Sequence, residues 1–403
     1  MKLIPTMLLT SLTFLTACGQ QDKQGSKLEG HYENATTTSM ASFRGAQTVV
    51  PEYANSRGVI IALPYLTNFN KAEALAEVLK TNIEKLWIVV PSNYSGSLNG
   101  ADFKELRTLA GNSFNKVQLV PQKVPGSLTI WARDWSPLTG RAANGASRLL
   151  DFNYYPNRQT DDFTAQSFIS TLPFERVSIP VYNEGGNFMS NTDGACMMTT
   201  RVTDANKAKS VAEDMILNGD QIKAYYREYA GCRQVHIFPR IPYEGTGHID
   251  MWAKFLNNDT VIVNEIRDEI IALPNLQSWQ RGRVQEVQSY LEARASEIAA
   301  MGYKVIRIPM PAPIFTAEGT NMFRSYSNSL LVNGTAMVPR YQAPARANLS
   351  VSGKYVDSSL VKAYEEEVIS IYQSLGYTFK WVNSDDTIAI GGAIHCTTMQ
   401  VPR

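Results

Sequence analysis

The sequence predicts an α/β fold built from internal repeats set radially, and three observations carry that prediction. First, short apolar strand-like runs end at or near Pro again and again: Val90-Pro91, Val120-Pro121, Ile179-Pro180, Phe238-Pro239 and Ile308-Pro309. Pro121, Pro180 and Pro239 lie 59 residues apart, and Pro309 follows after a further 70. Second, amphipathic helical periodicity is clearest at 207–229, 278–301 and 357–376. Third, a polar cluster follows each repeated strand. A recurring helix–strand–strand unit of about 60 residues is what a repeat architecture requires, because each unit buries its apolar face only against its neighbours. Two unrelated domains would not share one period. No Gly-, Pro- or Ser-rich linker breaks the chain after residue 50, so residues 50–403 read as one domain.

The N-terminus reads as an address. Lys2 precedes an apolar stretch, Leu3–Leu15, that ends in Leu15-Thr16-Ala17-Cys18. A charged start, a short apolar core and small residues before a cut make residues 1–17 a secretory signal. Their ending resembles the lipobox of bacterial lipoproteins, which implies acylation of Cys18 and a membrane-anchored, exported protein facing the periplasm or the cell surface. A plain signal peptide with an incidental Cys is the alternative. Residues 18–49, rich in Gln, Ser, Thr and Gly, carry too few apolar residues to pack and read as a flexible tether.

Along the body, strand-like runs include Val59–Pro64, Leu86–Val90, Thr260–Asn264 and Ser329–Val332. Phe379-Lys380-Trp381-Val382 is a last copy of the strand without its Pro. Hydrophobic residues make up 44% of the 403 and charged residues 19%, the composition of a globular protein with a sizeable core. Lys plus Arg total 38 against 37 Asp plus Glu, which argues against a nucleic-acid partner. No apolar run after the N-terminus is long enough for a membrane span. With Cys18 assigned to lipid, Cys196, Cys232 and Cys396 remain. Export permits a Cys196–Cys232 disulfide, but connectivity is not readable from sequence, so a bridge and two buried thiols both stand.

The clusters carry the chemistry. In order they are Trp131-Ala132-Arg133-Asp134-Trp135-Ser136-Pro137, Glu184-Gly185-Gly186-Asn187, Gly247-His248-Ile249-Asp250, Ser325-Tyr326-Ser327-Asn328-Ser329, and Gly391-Gly392-Ala393-Ile394-His395-Cys396-Thr397-Thr398. Each alone has a bland reading. Asp134 beside Arg133 suits a structural ion pair, Gly-Gly suits a turn, and Cys396 suits an inert core thiol. Together they supply a nucleophile, an acid–base group and a cradle for a cation. Two carboxylates match the planar fork of a guanidinium through charge-assisted hydrogen bonds. A cationic substrate beside a thiol favours the thiolate, the reactive form. His248 and Asp250, two residues apart on a strand, would share a face. The competing reading is a metal site from His248, Asp250, His395 and Cys396. The chain has only four His, however, with His31 in the tether, and lacks His-x-x-x-His and Cys-x-x-Cys pairs. We therefore expect no metal.

The set Trp131-x-Arg133-Asp134, Glu184-Gly185-Gly186-Asn187, Gly247-His248-Ile249-Asp250 and Gly391-Gly392-x-Ile394-His395-Cys396 resembles the agmatine deiminase and Porphyromonas-type peptidyl-arginine deiminase family. The match runs in the family's order across residues 50–403. The resemblance implies a pentein fold, a five-bladed α/β propeller with pseudo-fivefold symmetry and the active site on its axis. It implies that Cys396 is the nucleophile. Asp134 and Asp250 would grip the guanidinium, His248 would be the general acid and base, and Glu184 would be the partner that orients it. Asn328 matches an active-site Asn of the peptidyl-arginine branch, and Trp131 would join Asp134 and Asp250 at the substrate. No cofactor is implied. Three departures bear on the substrate end of the pocket. Ser136 stands where Gly usually precedes Pro137, and Ala393 interrupts the Gly-rich run. Asp151-Phe152-Asn153-Tyr154-Tyr155-Pro156-Asn157-Arg158 occupies the region of a Trp-Gly-Gly segment associated with agmatine deiminases.

These features rank three functions. The first is a lipid-anchored hydrolase converting peptidyl-arginine to peptidyl-citrulline and ammonia through a covalent Cys thiouronium, with Arg158 a candidate for binding a substrate carboxylate. The second is an agmatine deiminase giving N-carbamoylputrescine, a polyamine-pathway reaction. The third is a non-catalytic surface-binding lipoprotein. The partners expected are a guanidine or an arginine-containing peptide, and the membrane through the anchor.

Overall fold

The structure, a computed structural model, describes residues 47–155, 157–168, 171–207, 216–316, 321–344 and 355–403. The signal 1–17, Cys18 and residues 18–46 of the tether lie outside the described residues. Residues 47–49, assigned above to the tether, form a strand, Gln47–Val49, antiparallel to Leu138–Ala142.

The predicted repeat takes a definite form. Five sheets show the same order: an antiparallel pair, then a parallel strand. Leu138–Ala142 and Ser147–Asn153 pair antiparallel, and Glu175–Tyr182 joins parallel. Met189–Ser190, Ala195–Thr199 and Gln234–Phe238 repeat the pattern. So do Ala253–Phe255, Thr260–Glu265 and Lys304–Pro309. Leu330–Val332, Thr335–Arg340 and Thr378–Asn383 follow suit. In the fifth sheet, Met399–Pro402 pairs antiparallel with Ser56–Ala62, so one strand from each end of the domain lies in it. Lys85–Val90 and Val117–Pro121 extend that sheet in parallel. A small sixth sheet pairs Ile314–Phe315 with Asn321–Met322. No continuous barrel links the sheets among the described residues.

Parallel neighbours need a crossover, and helices supply it. The helix Ser278–Ala300 connects Thr260–Glu265 to Lys304–Pro309 and buries Val284, Val287, Leu291, Ala295 and Ile298. Those positions recur every three or four residues, the stripe of a 3.6-residue helix. Ser358–Ser374 buries Val361, Tyr364, Val368 and Tyr372 at the same spacing. Each fully buried Val or Leu in such a stripe contributes about 1.5–3 kcal/mol.

Two elements differ from the sequence reading, and one open alternative is resolved. The helix expected over 207–229 is confined, among the described residues, to Gly219–Tyr229. Asn218 caps it: its side chain accepts from the backbone N–H of Asp220 and Gln221, while Gln221 returns a bond to Asn218. This reciprocal box starts a helix in its own right. The strand expected over Val59–Pro64 stops at Ala62, because Pro64 opens the helix Leu63–Asn68, where its missing N–H costs nothing. Cys196 and Cys232 are joined in a disulfide, on parallel strand Ala195–Thr199 and just before its neighbour Gln234–Phe238.

Every polar cluster lies in the segment following the parallel strand of a sheet. This is where α/β folds gather ligands, outside the carboxyl ends of their strands.

Candidate active site

Backbone geometry presents each group. Asp134 sits in a one-turn helix, Ala132–Trp135, after the strand Val117–Pro121. Glu184 enters a tight turn, Gly185–Asn187, after Glu175–Tyr182. His248 precedes a similar turn, Ile249–Met251, that carries Asp250. Glu244 holds the approach to His248, since its carboxylate accepts from the N–H of Thr246 and Gly247 and from the Thr246 hydroxyl. In this turn His248 and Asp250 are not on a strand, so the period-two reading of their shared face does not apply. They converge nonetheless.

The structure brings Cys396, His248, Asp250, Asp134, Glu184 and Asn328 together, all buried, none more than 5% exposed. Gly186 marks the middle. A Cβ there would lie 2.7 Å from His248 Nδ1, 2.9 Å from Asp134 Oδ1 and 3.0 Å from Asp250 Oδ2. Only Gly leaves room for three ionisable groups so close to the backbone. Asp134 Oδ1 also accepts from the Gly186 N–H at 3.0 Å. His248 Nε2 hydrogen-bonds Glu184 Oε2 at 2.6 Å, and its Nδ1 faces Asp134 Oδ1 at 3.7 Å. Arg201 grips both oxygens of Glu184, at 2.9 and 3.0 Å, and its guanidinium also meets the Tyr155 hydroxyl.

Cys396 Sγ lies 3.2 Å from Asn328 Nδ2 and 3.6 Å from Asp250 Oδ2. Asn328 holds the turn around the thiol with both ends of its amide, because its Oδ1 accepts from the Ala393 N–H at 3.2 Å. Trp131 closes the other side: a Cβ on Gly392 would meet Trp131 Cζ3 at 2.6 Å and Cys396 Sγ at 2.8 Å. Arg158 is not in this cluster. It pairs with Asp161 at 2.8 Å and lies 5.0 Å over the ring of Tyr154.

The electrostatics follow from burial and charge. Burial pushes the Cys396 thiol well above its ordinary value, and the Asp250 and Asp134 carboxylates push it further. The thiol is neutral until a cation arrives to offset those carboxylates. Burial opposes charge on His248, but Glu184 and Asp134 outweigh it and raise the imidazole to about 9. Burial also works against Glu184, yet His248 and Arg201 bring it down to about 2. Asp134 is dominated by burial and rises to about 7 despite His248. Burial of Asp250 is outweighed by His395, His248 and Lys254 together, with the His395 hydrogen bond foremost, so the carboxyl is lowered. His248 Nδ1 and Asp250 Oδ1 are buried without hydrogen-bond partners. A ligand with several N–H groups fits the Asp250 oxygen, since an unmet buried acceptor costs about 1–3 kcal/mol, while Nδ1 of the protonated His248 is a donor. The arrangement thus offers a thiol, a charged imidazole and two carboxylates around one point.

Four further residues belong to the surroundings and have no signal in the sequence clusters, or a misleading one. Glu52 stands alone in Pro51-Glu52-Tyr53, and Lys254 and Arg201 lie outside any cluster. Arg133 does not pair with its neighbour Asp134: it reaches Glu52 at 2.8 Å and the Gln400 side chain. Successive helical residues point about 100° apart, so the two face different partners. His395, weighed above as a metal ligand, has both ring nitrogens engaged by carboxylates, Asp250 and Glu52. No group of three His, Cys, Asp or Glu among the described residues is placed to hold a metal ion.

Comparison with known proteins gives this geometry a setting. The family model described as Porphyromonas-type peptidyl-arginine deiminase matches residues 48–402. A protein of Shewanella frigidimarina named as a candidate agmatine deiminase is 24% identical over 383 residues, covering 87% of this chain and 93% of its own length. Among solved structures, C. jejuni agmatine deiminase with substrate bound superposes with a TM-score of 0.64 at 16% identity, covering 89% of this chain and 96% of that one. A candidate arginine deiminase from Porphyromonas gingivalis gives 0.65 at 16%, covering 89% and 98%. At these identities the structures speak to the fold, which is theirs. With almost the whole described body inside the family model, this chain belongs to the Porphyromonas-type peptidyl-arginine deiminase family.

Proposed function

We propose that the chain hydrolyses a guanidinium group to a ureido group and ammonia, with agmatine as its first substrate. The observation that carries the chemistry is the gathering of Cys396, His248, Asp134 and Asp250 around Gly186. In this reading Asp134 and Asp250 accept guanidinium N–H bonds, and the bound cation draws the thiol proton off into solvent. The Cys396 thiolate adds to the guanidinium carbon. Protonated His248, held by Glu184, gives its proton to the departing nitrogen, and the C–N bond breaks to leave ammonia and a thiouronium on sulfur. Neutral His248 then takes a proton from water, the hydroxide adds to the same carbon, and the C–S bond breaks as the hydroxyl proton passes to the departing sulfur, which returns the Cys396 thiol and the ureido product. Asn328 steadies the sulfur, and Trp131 walls the site. No step calls on a cofactor.

Agmatine moves ahead of peptidyl-arginine, which the export signal had favoured. The names of the relatives support a small guanidine, and so does the enclosure of the site. One observation supports peptidyl-arginine as the second reading. A shallow recess, with about 240 Å³ of empty space that includes open solvent, is lined by Tyr154, Tyr155, Asn183, Glu184 and Arg201, among others. Glu184, the one carboxylate among its lining residues, is already engaged by His248 and Arg201. The recess therefore supplies no spare carboxylate for agmatine's distal ammonium. Arg158 packs on Tyr154 and Tyr155 of that lining, which keeps it a candidate for a substrate carboxylate.

Ammonia release by protein lacking the tether separates the readings, with agmatine, free arginine and peptides bearing internal or C-terminal arginine offered in parallel. Turnover of agmatine, abolished in Cys396→Ala, is expected. Turnover of peptides alone would reverse the order. Release indistinguishable from Cys396→Ala on every guanidine would leave only the surface-binding lipoprotein.

We further propose export and anchoring through acylated Cys18, a reading the Cys196–Cys232 disulfide supports because such bonds persist in oxidising compartments. Full-length protein should partition into detergent and Cys18→Ala into the aqueous phase; wild type found in the aqueous phase would remove the anchor. The five recurring sheets support a five-bladed pseudo-fivefold propeller, which an experimental structure would test by superposing the units on one another.

A further inference from the structure

We infer that His395 and Glu52 form a positioning pair that keeps Asp250 ionised and turns one of its oxygens toward the substrate. The inference rests on Asp250 being a guanidinium-binding carboxylate. His395 Nδ1 lies 2.6 Å from Asp250 Oδ2, and its Nε2 lies 2.6 Å from Glu52 Oε1. An ionised carboxylate only accepts hydrogen bonds, so both ring nitrogens donate. Both carboxyls are held below their ordinary values, Glu52 because Arg133, His395 and Lys254 together outweigh its burial.

Glu52 is itself pinned. Arg133 Nη1 reaches its Oε1 at 2.8 Å and Lys254 Nζ its Oε2 at 2.7 Å. Arg133 also ties down the turn that carries the imidazole, since its Nε donates to the His395 carbonyl and its backbone N–H to the Cys396 carbonyl. The ring therefore has one orientation. With Oδ2 of Asp250 occupied by His395, Oδ1 is the oxygen left buried and unpartnered. Oδ1 thus keeps its accepting capacity for a guanidinium N–H, while Oδ2, held by His395, is the oxygen that lies 3.6 Å from Cys396 Sγ.

Removing the imidazole has a defined consequence. Asp250 is faced by His395, His248, Lys254, Asp134 and the Cys396 thiol. Without the His395 bond, burial is opposed only by the more distant cations, and the carboxyl takes up a proton as pH falls. A neutral Asp250 no longer attracts a cation. His395 acts through Asp250, and Glu52 acts through His395.

The test measures binding apart from turnover. Agmatine binding to the full chain carrying Cys396→Ala is followed by calorimetry between pH 6 and 8, alone and with His395→Gln or Glu52→Gln added. We expect His395→Gln to weaken binding at least about tenfold at pH 7, a change of about 1.4 kcal/mol, and the loss to deepen toward pH 6. Glu52→Gln should weaken binding less, and the double change should cost no more than His395→Gln alone. A purely structural role would lower thermal stability without creating the pH dependence. If His395→Gln does not fold, Glu52→Gln carries the same comparison. A folded variant whose affinity matches that of Cys396→Ala alone at every pH would overturn the proposal. Tight binding with the expected pattern, but no ammonia from the protein with Cys396 intact, would instead overturn the deiminase reading and leave the pair standing. Failure of agmatine and of an arginyl peptide to bind at all would overturn both.

Discussion

Glu184 and His248 make a pair whose contribution depends on pH in a definite direction. The imidazole rises from 6.5 to about 9, so the stability it contributes is fully present below 6.5 and is lost as pH rises through about 9. Glu184→Gln removes the nearer carboxylate. The alkaline limb of kcat/KM is then expected to move to lower pH, and the stability difference from wild type should shrink as the solution is made alkaline. Rate profiles and denaturant unfolding from pH 6 to 10 check both; an unmoved alkaline limb would separate His248 from the proton transfer. The six residues gathered at the site are legible in the sequence because each lies in a short polar cluster behind an apolar run. Glu52 is not legible, since an isolated carboxylate between Pro51 and Tyr53 has no spacing to read. Its contact with His395 spans 343 residues. Arg133 misleads, because adjacency in sequence suggested a pairing that helical geometry prevents.

Elements were readable where one physical cue dominated. The helix Ser278–Ala300 shows its apolar stripe, and the strand Lys85–Val90 is a buried run with a turn after it. Boundaries failed where a cap or a Pro overrode periodicity. At Asn218 the capping box begins a helix inside a stretch whose pattern had suggested one long helix. Asn218→Ala should therefore lower stability by about 1 kcal/mol, seen as an earlier denaturant midpoint with an unchanged slope and unchanged turnover. Pro180 shows the converse. It lies inside the strand Glu175–Tyr182 rather than ending it, and the pairing with Ser147–Asn153 shifts register there, from Phe152 opposite Ile179 to Asn153 opposite Tyr182. A residue without an N–H is tolerated in a sheet at such an irregularity.

Across the whole molecule, the repeat was legible as a period, but the pairing order of the sheets was not, because hydrogen-bond partners far apart in sequence leave no local mark. The disulfide is a case in point. Cys196 and Cys232 meet because the strand after Ala195–Thr199 in its sheet is Gln234–Phe238, a topological fact. Closing a span of 36 residues restricts the unfolded chain. Replacing both with Ala is expected to cost about 2–4 kcal/mol of stability while leaving the kcat/KM of folded protein near wild type, since neither sulfur is among the site residues. A matched loss of kcat/KM would mean that the bridge shapes the site. The pairing of Met399–Pro402 with Ser56–Ala62 has a consequence of another kind. It sets Glu52 and Cys396 beside one seam, while Asp134, Glu184, His248 and Asn328 arrive from four intervening segments. Contacts of such separation form late and slowly. A fragment that stops short of Cys396 keeps the carboxylates and His248 but lacks the thiol, so the full set needs both ends of the domain. Turnover is thus a witness that the entire domain has assembled.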